Sequence, residues 1–233
     1  ILTSAQTAGD DNIKSRDAFR VVQPVNQRFQ WLGFGEIKPG GWIKDQMEKD
    51  MAGFTGHLDE LVPDLMDDKI YGEERLTKDI KTKNVGNITD GFDPQYLWWN
   101  SETQSNWRDG YIRNAIMLND SMHLAKAGKY IDYLLSTQDE DGYLGIYAPD
   151  LRYRFTDENG ELWAKTTALR GLLAWYEFTG NQKVLYAIKM AVQDVMVHYP
   201  AGNSSPFKST KPFAGGLTHG LVFTDVLDRL FQL

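Results

Sequence analysis

The stretch WWNSETQSNWRDGYIR, residues 98–113, gathers three tryptophans, a glutamate, two arginines and an aspartate just ahead of a helical pattern. Flat amphipathic rings suit the faces of sugars, while polar groups beside them hold hydroxyls. Trp98, Trp99 and Trp107 are therefore candidate walls of a carbohydrate site, with Arg108 and Arg113 as polar clamps. Glu102, set among those rings in an expected loop, would be partly desolvated, which raises a carboxyl group toward the range of a general acid. It can equally accept from sugar hydroxyls, or stand on the surface paired with Arg108 or Arg113. Asp109, three residues after Asn106 at an expected helix start, suits a cap and, second to that, a ligand contact. His219, in GGLTHGL, can donate to a hydroxyl, move a proton near neutral pH, or cap its helix. Tyr143 lies in the turn-rich DEDGYLG, where it lines a mouth or packs locally. Glycoside hydrolysis needs a second carboxyl or an equivalent partner beside Glu102, for which Asp109 and His219 are the candidates.

Composition narrows the ligand. A net charge of −7 with no Lys/Arg-rich run lacks the basic footprint of nucleic-acid or anionic-membrane binding, so a neutral partner fits better. Aromatic content is 12%, which serves packing as readily as sugar stacking. Zero cysteines exclude disulfides and thiolate metal sites within the chain. His57, His123, His198 and His219 are too scattered for a metal-ligand spacing, and DEDG lacks the alternating ligands of a calcium loop, so no metal site is expected. No apolar run approaches the ~20 residues of a membrane span. The small-residue start ILTSAQTAGDD suggests the end of an export signal, hence an extracellular or periplasmic location.

The elements that must position these groups are helical. After a polar leader, residues 1–26, the remainder, 27–233, reads as a partial α/α domain. GGWIKDQMEKDMAGF places Ile43, Met47 and Met51 at helical spacing and ends at Gly53. Asp67 to Asp93 reads as a long surface loop. DGYIRNAIMLNDSMHLAKAG predicts one helix closed by Gly128, and KYIDYLLSTQ its partner. ELWAKTTALRGLLAWYEFTG and NQKVLYAIKMAVQDVMVHY form a second hairpin broken at Gly180–Asn181. A third begins at GGLTHGLVFTDVLDRLFQL. Hairpins recurring about every fifty residues, with apolar first helices and more polar partners, predict an all-α repeat built as inner and outer rings, an α/α toroid.

PGGWIKDQMEKDMAGFTGHLDEL, the Trp98–Trp107 cluster, DGYIRNAIMLND, STQDEDGYLG, LLAWYEFTGN and THGLVFTDVLDRL resemble, in that order, the amino-terminal half of the β-L-arabinofuranosidase-type glycoside hydrolases of family 127. The resemblance runs from about Trp42 to the last residue. It implies an (α/α)6 barrel with its active site at one mouth, of which about three of six hairpins are present here. It also implies a cysteine nucleophile near zinc, held by residues later than any segment matched; zinc would belong to the complete protein only if the missing part carried those cysteines. Where some members have a histidine before the Glu-Leu that opens the second hairpin, this chain has Gly160.

The leading expectation is a glycoside hydrolase acting on glycans, including β-L-arabinofuranosides. One rival is an unsaturated glycuronyl hydrolase, in which Arg108 and Arg113 meet a uronate carboxylate. Another is a glycan-binding protein without catalysis. The third hairpin's unpartnered apolar residues, Leu221, Phe223, Val226, Leu227, Leu230 and Phe231, predict self-association or cover by a missing carboxyl-terminal half.

Overall fold

The computed structural model of the chain describes residues 29, 31–77, 98–154, 160–200 and 216–233. Two compact units divide the chain, Ile1–Leu32 and Gly33–Leu233. The expected polar leader lies outside the described residues, and every described helix belongs to the second unit. These are α1 (Gly41–Ala52), α2 (Phe54–Leu61), α3 (Pro63–Met66), α4 (Trp99–Leu118), α5 (Ser121–Ser136), α6 (Gly160–Thr179), α7 (Gln182–His198), α8 (Gly216–Leu221) and α9 (Phe223–Gln232). The all-α expectation holds among the described residues, where extended pairing is limited to an isolated bridge between Leu76 and Tyr147.

The helices stack by hairpin. α4 packs along α6, and α6 packs on α8 and α9, so the first helices of successive hairpins form one row. α5 packs on α4 and α7 on α6, each against its own hairpin partner, while α1, α2 and α3 also touch α4. Burial follows the row. α6 hides almost every side chain from Gly160 to Ala174, whereas α7 buries one stripe, Val184, Ile188, Ala191, Val192 and Val195. A helix apolar on most sides belongs inside and a striped one outside. Each fully buried Leu or Ile, such as Ile112, Ile116, Leu169 and Leu172, contributes ~1.5–3 kcal/mol.

Several local expectations change. The first hairpin turns at Asn119–Asp120 and not at Gly128: Asn119 takes the left-handed conformation at φ 53°, and the Asp120 carboxylate accepts from the amides of Met122 and His123. Asparagine tolerates that conformation and aspartate is a strong cap, which outweighs a glycine that sits inside α5 beside the Trp175 ring. The second hairpin does turn at Gly180–Asn181, with Asn181 as cap. The third helix breaks at Val222 into α8 and α9. Phe223 and Val226 are buried, while Leu221, Leu227 and Phe231 remain exposed. The expected surface loop from Asp67 buries Ile70, Tyr71 and Leu76, with the Tyr71 hydroxyl donating to the Ala164 carbonyl at 2.9 Å; its residues 78–93 lie outside the described residues. In α1 Met51 is buried, but Ile43 is 47% exposed.

Candidate functional site

The amino-terminal ends of α4, α6 and α8 converge, and each delivers an aromatic ring. Trp98 immediately precedes α4, Trp163 lies in the first turn of α6, and His219 lies in α8. The His219 ring stands 5.1 Å from Trp98 and 4.8 Å from Trp163, edge-on to both. Trp98 is almost wholly buried, and Gly160 explains how: a Cβ at position 160 would lie 2.3 Å from the indole Cγ. The indole thus fills the place that a side chain at 160 would take. Trp98 Nε1, Trp163 Nε1 and His219 Nδ1 are all buried without a hydrogen-bond partner. Each orphaned polar group costs ~1–3 kcal/mol. A seam of hydroxyls continues between α4 and α6, where Ser105 Oγ and Thr167 Oγ1 lie 2.5 Å apart.

Glu102 and Asp109 lie within α4, because the helix begins at Trp99 and not after the cluster. Burial of Ser101, Gln104 and Ser105 favours this early start, although no side chain caps it. At about 100° per residue, Trp98, Glu102, Asp109 and Arg113 fall on one face, and Trp107 falls on the opposite one. Glu102 is half-buried, one turn beyond Trp98, and pairs with neither Arg108 nor Arg113. Asp109 lies eleven residues past the cap position, Trp98, too deep to cap. Its carboxylate instead joins Arg113 Nε at 2.6 Å and Arg170 Nε at 3.1 Å, and Arg170 continues to Asp225 at 3.3 Å. Trp107 turns away from Trp98, donating from Nε1 to the Thr55 carbonyl at 2.8 Å and packing on Tyr111. Arg108 donates to the Met66 carbonyl at 2.8 Å and stacks on Tyr130. The side chain of Trp99 lies outside the described residues. Of the expected site, the fold therefore joins Trp98 to His219 with Glu102 nearby, and separates Trp107 and Arg108 from them.

Tyr143 is no mouth wall. It is fully buried, and its hydroxyl donates to Glu161 Oε1 at 2.8 Å. Around it lies a cluster that single-residue reading missed. Lys165 is completely buried, with Nζ 3.3 Å from Asp194 Oδ2, 3.7 Å from Glu161 Oε1 and 3.7 Å from the centre of the Tyr143 ring. The Tyr153 hydroxyl donates to Asp194 and its amide to Glu161, while its ring stacks on His198 at 4.0 Å. Burial pushes the Glu161 carboxyl up and the Lys165 ammonium down, each opposed by the other's charge. The available signal was Glu161 and Lys165 four residues apart in an otherwise apolar helix, with Asp194 and His198 at the same spacing. Gly160 precedes this cluster directly and Trp163 lies within its span, so the cluster fixes the helix end that carries Trp163.

Of the remaining histidines, His123 accepts or donates at Nδ1 with the Tyr111 hydroxyl at 2.8 Å, a buried structural contact. His57 pairs with Glu60 at 3.1 Å beside a cavity of about 710 Å³ at the α4–α5 turn, far along α4 from Trp98. The residues do not fit the zinc centre that the resemblance implies: the chain has no cysteine, and among the described residues no three His, Asp or Glu side chains converge as ligands. No helix among the described residues is long and apolar enough to cross a membrane. No protein-family model matches the chain, and none of the curated proteins matches it.

Proposed function

We propose that this chain is the amino-terminal part of an α/α-toroid glycoside hydrolase and binds glycan at the mouth formed by Trp98, Trp163 and His219. The observation that carries this reading is the convergence of three rings with three unpartnered ring nitrogens at the same ends of three successive first helices. A sugar fits that arrangement. Its apolar face suits the half-buried Trp163 indole, and its hydroxyls suit the half-buried Glu102 and His219 side chains. The row of first helices backed by hairpin partners supports the toroid, with the mouth at the amino-terminal ends of the inner helices. Glu102, on the Trp98 face, is the proton-transfer group, and His219 is its neighbouring partner or a hydroxyl clamp. The family 127 type and β-L-arabinofuranoside substrates rest on the order of sequence motifs. Export to the cell exterior or periplasm belongs to the same proposal.

The uronide reading loses support, because Arg113 is held by Asp109 and Arg108 leaves on another face. Glycan binding without turnover keeps one argument: Asp109, the nearest second carboxyl on the Trp98 face, is engaged by two arginines. Titration of arabinofuranoside oligosaccharides, followed by tryptophan fluorescence, tests the site. Trp163→Phe and His219→Ala should each weaken binding with helical circular dichroism unchanged. Normal binding by both variants would reduce the rings to packing. Release of arabinose by the complete protein, abolished in Glu102→Gln, separates hydrolysis from binding alone, and none is expected from residues 1–233 by themselves.

A further inference from the structure

At the carboxyl-terminal ends of α4 and α6, away from Trp98, residues 33–38 lie against both helices as a strap. The Glu36 amide donates to the Gly33 carbonyl at 3.1 Å and the Glu36 carboxylate accepts from the Gly33 amide at 2.7 Å, so the strap begins as a self-closed turn. Gly35 stands at its third position with φ 91°, and a Cβ there would lie 2.7 Å from Ile116 Cγ2. Glycine tolerates that conformation and carries no Cβ to obstruct the approach to α4. Two anchors fasten the turn. Lys38 Nζ donates to the Ile116 carbonyl at 2.6 Å, near the negative end of α4, and lies 5.7 Å from the centre of the Phe178 ring. The Phe34 amide donates to Glu177 Oε2 at 2.6 Å, while its ring lies 4.8 Å from the Arg113 guanidinium.

Glu177 is where the strap meets the last helix. Its side chain is only 5% exposed, and its carboxylate accepts a two-pronged contact from Arg229 of α9, with Arg229 Nε 2.7 Å from Oε1 and Nη2 bonded to Oε2. The strap amide and the α9 guanidinium thus share one buried acceptor, Oε2. We infer that the strap is a conformational clasp on α9: by covering Glu177 it keeps the Arg229 fork out of water, and so holds α9 against α6 together with α8, the short helix that carries His219. The cause is dielectric. A charge-assisted fork shielded by protein holds far more strongly than the same pair in water, where ion pairs contribute little. The other fastenings of α9 are modest. Phe223 and Val226 are buried near its start, the Asp225–Arg170 pair is largely exposed, and Leu227 and Phe231 are exposed, so Arg229 and the half-buried Leu230 secure its far half. Across the break, Thr224 Oγ1 donates to the Leu221 carbonyl at 2.7 Å, which couples α9 to α8. The clasp acts whether or not the Trp98–His219 end binds glycan.

The test is hydrogen–deuterium exchange of the full chain, read by mass spectrometry on peptides covering the strap, α7 and the α8–α9 segment. Gly35→Ala lifts the strap through the Ile116 contact. It should speed exchange in the strap and, by about tenfold, in α8–α9, the loss of one hydrogen bond to a charged group. Exchange in α7 should keep the parental rate, because α7 contributes no group to the clasp. Lys38→Gln removes an anchor without touching the turn, should act in the same direction, and serves if Gly35→Ala fails to fold. Glu177→Gln should by itself speed exchange in α8–α9, and adding Gly35→Ala to it should change that segment by less than about twofold, since both act through one carboxylate. Strap exchange that rises while α8–α9 keeps the parental rate, equal acceleration in α7, or full additivity of Gly35→Ala and Glu177→Gln would overturn the inference.

Discussion

Lys165→Met removes an ammonium in contact with two buried carboxylates, Glu161 and Asp194. Nζ lies 3.3 Å from Asp194 and 3.7 Å from Glu161, and all three side chains are at most 2% exposed. Breaking a buried ion pair from one side costs about 3–5 kcal/mol, a large part of a domain's net ~5–15 kcal/mol. At ~2–4 °C per kcal/mol for a chain of this size, the melting midpoint should fall by roughly 6–20 °C near neutral pH. The deficit depends on pH with a definite sign. Burial raises Glu161 in the folded chain above its ordinary value of 4.5, so the neutral carboxyl stabilises the fold below pH 4.5 and that contribution is lost as pH rises through the folded value. Without the ammonium that favours its charge, Glu161 rises further. The loss caused by Lys165→Met must therefore shrink as pH falls toward 4.5. Glu161→Gln is the control: it keeps an acceptor for Tyr143, leaves Lys165 and Asp194 as a balanced pair, and should cost no more than ~1.5 kcal/mol. Differential scanning calorimetry across pH measures all three proteins. A Lys165→Met midpoint within about 2 °C of the parent, or a deficit that stays constant with acidification, would refute the argument.

Gly160→Ala should displace the Trp98 indole, costing ~1–3 kcal/mol by overpacking and weakening glycan binding; near-parental melting with intact binding would show that the contact relaxes freely. Asp109→Asn leaves Arg113 and Arg170 without their shared carboxylate and, because both arginines are partly exposed, should cost only ~1–2 kcal/mol by urea unfolding. Leu227 and Phe231, one turn apart and 40% and 62% exposed, form an apolar edge on α9. Concentration-dependent self-association is expected by light scattering, reduced in the double Leu227→Lys, Phe231→Lys variant. A parent chain that stays monomeric at high concentration counts against this.

The sequence by itself determined the elements. Period-3.6 patterns marked the helical character of both complete hairpins and placed the helices of the second, where Gly180–Asn181 marked the turn, because amphipathic spacing and capping are local properties. It determined the contrast between α6, apolar nearly all round, and the striped α7, and it singled out Trp98 and His219. Where local signals competed, it misled: Gly128 outshone Asn119–Asp120, and the polar run at 101–106 read as loop, although burial against neighbours makes it helix. Only tertiary structure decided which residues meet. Trp163 joins Trp98 and His219 across 65 and 56 residues of chain respectively because α4, α6 and α8 lie side by side, and no pattern within one helix encodes that adjacency. The same packing turned Tyr143 inward to Glu161 and gathered Lys165 and Asp194 from two helices. Helical phase separated Trp107 and Arg108 from the other cluster residues, since nine or ten positions along a helix carry a side chain to another face. Periodicity is written residue by residue, whereas a site is a property of distances between elements, and those are set by which apolar faces find one another.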